Sequence, residues 1–211
     1  MVPLALKLKK ESHKIIALAQ DLIVRELYSV FDDAVLHGGT GIWRCYHGNR
    51  FSEDIDVYMK KDIKKLNVLF ERLKHKGFFI EKKKIGEKSL FSTLKFNRAV
   101  VRFEALFKKA DGSLKEYEAI DGNFITVYVL TPEELVNEKA DAYLKRLKIR
   151  DLYDVFFLLR YVSNDSEVRE KLKLLIKAFK SPVDEKELKV LIFEGLAPAA
   201  EKMIEYIKKK I

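Results

Sequence analysis

The chain has 211 residues, 48% of them hydrophobic and 35% charged, with a formal net charge of +9 and a pI near 9.3. Such a chain is neither disordered nor low-complexity, and it is long enough for one large domain or two small ones. No apolar run approaches the roughly 18 residues of a membrane span. The N-terminal MVPLALKLKK puts its lysines after its few apolar residues, the reverse of a signal peptide, so a cytoplasmic protein without membrane attachment is expected.

The single Cys45 excludes an internal disulfide, no Cys/His set has zinc spacing, and a buried, inert thiol is expected. Lys supplies 31 of the 41 basic residues and Gln20 is the only glutamine, a bias expected of a heat-adapted source. Lysines cluster at Lys60–Lys61, Lys64–Lys65, Lys82–Lys84, Lys108–Lys109 and Lys208–Lys210. Any one cluster reads as a solvated face. The overall excess points to a polyanionic partner, because Lys and Arg contacts to phosphate supply most non-specific nucleic-acid affinity.

In chain order, residues 11–30 place Ile15, Leu18, Leu22, Val24 and Leu27 at near-helical spacing and predict an amphipathic helix. Ala34–Leu36 predicts a short strand running into Gly38-Gly39, Thr40–Tyr46 a short helix, and Ile55–Met59 a strand. A helix follows, with Asp62 at its start and Gly77 as its stop. Phe78–Lys83, Leu90–Phe96, Val100–Phe107 and Phe124–Leu130 have strand composition, with a hairpin turn at residues 97–99. Thr131-Pro132-Glu133-Glu134 then combines an N-cap, an N1 proline and an acidic first turn. From there to the end the sequence reads as helical, broken at 163–165, 181–182 and 196–198. The expected fold class is α+β, with an α/β core over 1–130 and a C-terminal helical domain over 131–211.

The chemistry is concentrated in LHGGTGIWRCYHGNRFSEDIDVYM, residues 36–59. Residues two apart in a strand share a face, so Asp54 and Asp56 project together while Ile55 and Val57 face a core. Two carboxylates on a half-buried face repel and lose hydration unless a cation joins them. Mg²⁺ fits, because it takes one or two carboxylates and completes its octahedron with water and substrate phosphates. Gly38, Gly39 and Thr40 sit where a strand hands over to a helix, whose free N–H groups suit a phosphate. A phosphate cradle and a carboxylate pair joined by one short helix make a site for a metal–nucleotide complex. Glu104, the only acid inside Val100–Phe107, is the candidate third carboxylate of a two-metal site. The alternative is an Arg102–Glu104 pair on the exposed side of that strand.

The stretch GGTGIWRCYHGNRFSEDIDV resembles the signature of the DNA polymerase β-like nucleotidyltransferases, and in particular the AbiEii/AbiGii toxin family. Arg50, Ser52, Asp54 and Asp56 match that family's Arg-x-Ser-x-Asp-hydrophobic-Asp. A second block, EKADAYLKRLKIRDLYDV, is similar to the family in Lys139, Arg146, Arg150, Asp151, Tyr153 and Asp154. Gly41 departs from the alanine usual there. The resemblance covers about residues 36–160, and the region around Glu104 is not motif-like. Spacings of 7 and 4 would put Lys139, Arg146 and Arg150 on one helix face, to neutralise a triphosphate or to form an exposed basic stripe. Asp151 and Asp154, in apolar surroundings, need charged partners.

The resemblance implies a polymerase β-like core with a mixed sheet and flanking helices. It also implies a Mg²⁺-dependent transfer of NMP from an NTP to an acceptor. Asp54, Asp56 and Glu104 would be catalytic and metal-binding, with Glu104 also accepting the acceptor's proton. Gly38, Gly39, Thr40, Ser52, Lys139, Arg150 and Asp151 would bind the nucleotide. It implies further the toxin of a type IV toxin–antitoxin system, with a cognate antitoxin and RNA such as tRNA as acceptor. Two other readings are transfer to a small molecule or protein hydroxyl, and a lapsed enzyme that only binds RNA or nucleotide.

Overall fold

The computed structural model describes residues 2–210 and divides into two compact units. The first comprises residues up to His47 together with Phe51–Leu130; the second comprises Gly48–Arg50 together with the chain from Thr131.

In the first unit, a one-turn helix α1 (Leu4–Lys7) precedes α2 (Glu11–Tyr28), β1 (Val35–His37), α3 (Gly38–Cys45) and β2 (Ile55–Met59). Next come α4 (Ile63–His75), β3 (Phe79–Ile85), β4 (Ser89–Phe96), β5 (Ala99–Phe107), β6 (Ser113–Glu118) and β7 (Phe124–Val129). The strands form one mixed seven-stranded sheet in the order β3-β4-β5-β2-β1-β7-β6. β2 runs parallel to β5 and β1 parallel to β7, whereas β1 and β2 are antiparallel. The Asp62 side chain caps α4 by accepting from Lys65 N–H at 3.0 Å, and Gly77 ends it at φ +91°. Asn97, at φ +51°, makes the turn that pairs Phe96 with Ala99.

The sheet is two-faced. Leu90, Ser92 and Leu94 of β4 and Val101, Phe103 and Ala105 of β5 are buried on the side where α2 packs. Their alternates, among them Val100, Arg102 and Leu106, are exposed on the other side. The buried face of α2 is not quite the expected one. Ile16, Ala17, Gln20, Asp21, Ile23, Val24 and Leu27 are buried, while Leu18 is exposed and Ile15 and Leu22 are half-buried. The reason is polar: Arg44 of α3, wholly buried, donates to Asp21 Oδ1 at 2.8 Å and to the Ala17 carbonyl at 2.9 Å. That pair ties α2 to α3 and accounts for the burial of Asp21. Tyr117 of β6 also donates to Asp21, at 3.1 Å. Strand β6 has no apolar alternation to mark it: Leu114, Lys115 and Glu116 are exposed in a row, and Tyr117 and Glu118 are buried.

The second unit is helical: α5 (Pro132–Arg146), α6 (Ile149–Leu158), α7 (Asp165–Lys177), a 3₁₀ turn at Glu185–Glu187, α8 (Leu188–Leu191) and α9 (Ala200–Lys208). Thr131 and Glu134 form a reciprocal capping box at the start of α5. The unbroken helix expected through residues 139–150 is not there. Leu147 adopts φ +53° and ends α5, with no glycine, asparagine or proline to signal it. The stretch 186–199 is also less helical than expected, α8 spanning one turn before extended chain and Gly195 at φ +87°. No helix among the described residues is long and apolar enough to cross a membrane.

Candidate active site

Strand register assembles the site in the first unit. Asp56 lies opposite His37 of β1 on one side and opposite Glu104 of β5 on the other. Directly opposed residues share a face of the sheet, so the two carboxylates are neighbours. Glu104 is therefore on the side of Asp56, and its simple pairing with Arg102 does not form. Arg102 instead makes a bidentate pair with Asp54, Nε donating to Oδ1 at 2.8 Å and Nη2 to Oδ2. Burial pushes the Glu104 carboxyl above its ordinary range, Asp56 pushes it further, and Arg102 pulls against both.

Gly38 closes the group from the other side. It opens α3 at φ +68°, and a Cβ there would fall 2.4 Å from Asp56 Oδ2. Only glycine lets this helix start against that carboxylate. The first-turn N–H groups of α3 lack helical partners and sit at its positive end. The Thr40 hydroxyl is committed to the Asp54 carbonyl, and it also accepts from the Gln20 amide at 3.4 Å. The same amide donates to the Ser52 carbonyl at 2.9 Å. Gln20, the sole glutamine, thus ties α2 to both the glycine turn and the aspartate segment, a role its sequence position does not signal.

Arg50, Lys139, Arg146, Asp151 and Asp154 form an ion network in the second unit, buried except for Arg146. Arg50 grips Asp154 with Nε and Nη2, both at 2.8 Å, and Lys139 Nζ lies 3.0 Å from Asp154 and 3.8 Å from Asp151. Arg146 donates twice to Asp151, at 2.6 and 2.7 Å. The expected single face of three cations is corrected here: Arg150 belongs to α6, and Arg146 reaches across the Leu147 break to Asp151. Lys139 is 8% exposed, which rules out a solvated stripe. Burial alone would raise the Asp154 carboxyl, but Arg50 and Lys139 overcome it and hold it below its ordinary value. Cys45 is buried, and burial pushes its thiol up to about 12, as expected of an inert cysteine.

The donor set suits a hard cation. Asp56 and Glu104 offer two neighbouring carboxylates, as many as Mg²⁺ takes from a protein when phosphates complete its shell. Among the described residues no three His, Cys, Asp or Glu side chains are gathered tightly enough to hold an ion as they stand. Asp54 is turned onto Arg102.

The description "Nucleotidyl transferase AbiEii toxin, Type IV TA system" matches residues 21–206 of this chain. The chain belongs to the AbiEii family. It is accordingly a nucleotidyltransferase of a toxin family, and the fold agrees. JHP933 from Helicobacter pylori superposes with a TM-score of 0.65 at 19% identity, over 95% of this chain and 90% of that one. The nucleotidyltransferase toxin MenT4 from Mycobacterium tuberculosis gives 0.66 at 18% identity, over 98% and 85%. A putative nucleotidyltransferase from H. pylori gives 0.62 at 20% identity, over 95% of each chain. No curated protein sequence matches the chain. For an AbiEii member, the carboxylates beside the glycine turn are the place to look for the transfer chemistry.

Proposed function

We propose that this AbiEii-family enzyme transfers a nucleoside monophosphate from an NTP to a hydroxyl of an RNA acceptor such as tRNA, with Mg²⁺ as cofactor. The observation that carries the reading is the juxtaposition of Asp56 and Glu104 across parallel strands, with the Gly38 turn against Asp56. The acceptor oxygen attacks the α-phosphorus, the bond from that phosphorus to the bridging oxygen breaks, and pyrophosphate leaves. The acceptor's proton passes to Glu104, the carboxylate opposite Asp56 in the parallel pair of β2 and β5. Asp56 and Glu104 would hold the metal, and Asp54, now paired with Arg102, would be the third carboxylate. Bound there, Mg²⁺ would supply charge stabilisation on the reacting phosphate.

Backbone N–H groups of Gly38, Gly39 and Thr40 receive the phosphates, the Thr40 hydroxyl being already engaged. On the family motif alone, Ser52, Lys139, Arg150 and Asp151 are further candidates for nucleotide binding. Residues 1–130 form the catalytic core and 131–211 a helical domain. A cognate antitoxin protein is the regulatory partner, and the basic composition supports a cytoplasmic, RNA-directed activity.

The test is incubation of the pure protein with each labelled NTP, Mg²⁺ and total RNA, beside Asp56→Asn. Label should enter RNA with the wild type and not with the variant. If the wild type labels no RNA but binds it as tightly as the variant does, the protein is a binding module.

A further inference from the structure

The carboxylates lie at one end of a wider surface. Following the register outward from His37 and Asp56, the same face continues through Glu104, then Phe91 of β4, then Lys84 of β3. The row beside it runs Arg102, Thr93, Lys82, and the next runs Val100, Lys95, Phe79. This face is open: Lys82, Lys84 and Lys95 are exposed, as are Phe79 (66%), Val100 and Leu106. Among the described residues no carboxylate pairs with any of those three lysines. Glu104 is the only acid of β3, β4 and β5 with its own register partner, and Glu81, the exposed bulge residue of β3, stands with Lys82 opposite Thr93. Glu87 lies in the turn before β4. Lys82 Nζ stands 5.2 Å from the centre of the Phe91 ring, so cation and aromatic face are offered together.

A face that sets lysines without carboxylate partners beside the exposed Phe79 and the half-buried Phe91 suits an anionic chain carrying planar groups. Neither apolar nor acidic partners meet it as well. We propose that the open face of β3, β4 and β5 is a track for single-stranded RNA. Lys82, Lys84 and Lys95 hold its phosphates, Phe79 stacks a base, and its end is delivered to Asp56 and Glu104. The span suits this: Lys84 is two strand spacings from Glu104, about 10 Å, within two nucleotides of an extended chain. The proposal rests on the transferase reading of the same face and adds the acceptor's path.

The experiment measures fluorescence anisotropy of a labelled 12-nucleotide single-stranded RNA at several salt concentrations. The variants are the triple Lys82→Ala/Lys84→Ala/Lys95→Ala, Phe79→Leu, and a control triple Lys177→Ala/Lys180→Ala/Lys186→Ala. The track triple should bind at least tenfold more weakly near 0.1 M salt, with a salt slope smaller by about 2, since each single-strand phosphate contact contributes roughly 0.7. Phe79→Leu should weaken binding several-fold at every salt concentration, because stacking is not screened. Affinity for a fluorescent NTP analogue should not change in any of them. Wild-type RNA affinity in the track triple, or an equal loss in the control triple, overturns the track. A wild type that binds RNA through these lysines yet incorporates no labelled nucleotide sinks the transfer reading and leaves the track standing.

Discussion

Gly38 and Gly41 are three residues apart on the same short helix and obey different constraints. At Gly38 an added Cβ meets Asp56 Oδ2 at 2.4 Å in a left-handed backbone, so Gly38→Ala should displace the carboxylate. Strain of about 1–2 kcal/mol in stability and loss of nucleotide transfer are expected, read by urea unfolding and by label incorporation. At Gly41 the added Cβ would be tight against a Val129 methyl, at 3.2 Å, and at ordinary contact distance from the Leu36 backbone. There the gain in helix propensity, up to about 1 kcal/mol, is set against a tight contact. Gly41→Ala should shift stability by no more than about 0.5 kcal/mol and leave transfer intact. Equal damage from both would mean that the Asp56 approach is not the constraint. Asp56→Asn should behave oppositely to a fold mutation. It relieves repulsion with Glu104, so metal-free stability should hold or rise while transfer disappears. A clear fall in its melting temperature would show Asp56 to be a structural acceptor instead. Cys45 gives a simpler check: with its thiol pushed up to about 12 by burial, it should resist a thiol reagent at pH 8 until the protein is unfolded.

At the level of elements, the α5–α6 junction is held by charge. Arg146 and Lys139 of α5 reach Asp151 and Asp154 of α6, and Arg50 completes the set. The Leu147 carbonyl also accepts from Val183 N–H at 3.0 Å, and Asp184 accepts from Ile149 N–H at 2.7 Å to cap α6. The helix break is therefore a consequence of ion pairs and long-range caps, with no local breaker residue. Because the Asp154 carboxyl is held below its ordinary 3.8, its charge stabilises the folded state fully above that value. That contribution fades as pH falls below 3.8 through the depressed value. Asp154→Asn should cost about 3–5 kcal/mol at pH 7, because Arg50 and Lys139 are left buried with too little counter-charge. The difference from wild type should shrink towards pH 3. Urea titrations at the two pH values give the comparison, and a gap that widens in acid would contradict it. Lys139→Ala removes one of two cations from Asp154, so its effect on NTP affinity must be read beside its own unfolding curve.

For the whole molecule, the net charge of +9 is not spread without pattern. Lys82, Lys84 and Lys95 stand on the open side of the sheet, while the carboxylates sit where β2, β5 and the glycine turn meet. RNA affinity should accordingly fall steeply with salt, by tenfold or more between about 50 and 200 mM. NTP affinity should change less, since partly buried charges are screened less. Parallel salt titrations of the two ligands test this, and an RNA affinity indifferent to salt would remove charge as the driver.

The amino-acid sequence by itself determined the α+β order of elements, the turn at Gly38-Gly39, the caps at Asp62 and Thr131, and the strand Ile55–Met59 that carries Asp56, with Asp54 just ahead of it. These are local matters: side-chain periodicity, backbone freedom and capping act within a few residues, and motif spacing records them. Strand β6 and the end of α5 escaped it because neither has a local signal; both are imposed by partners distant in the chain. The same holds inside the site. That Glu104 faces Asp56 depends on the register of β2 against β5, which spans some fifty residues of sequence. That Arg102 takes Asp54 and leaves Glu104 to its carboxylate neighbour depends on geometry across the same two strands. A single strand's alternation names two faces but not which one meets the other carboxylates. Only pairing in three dimensions decides that.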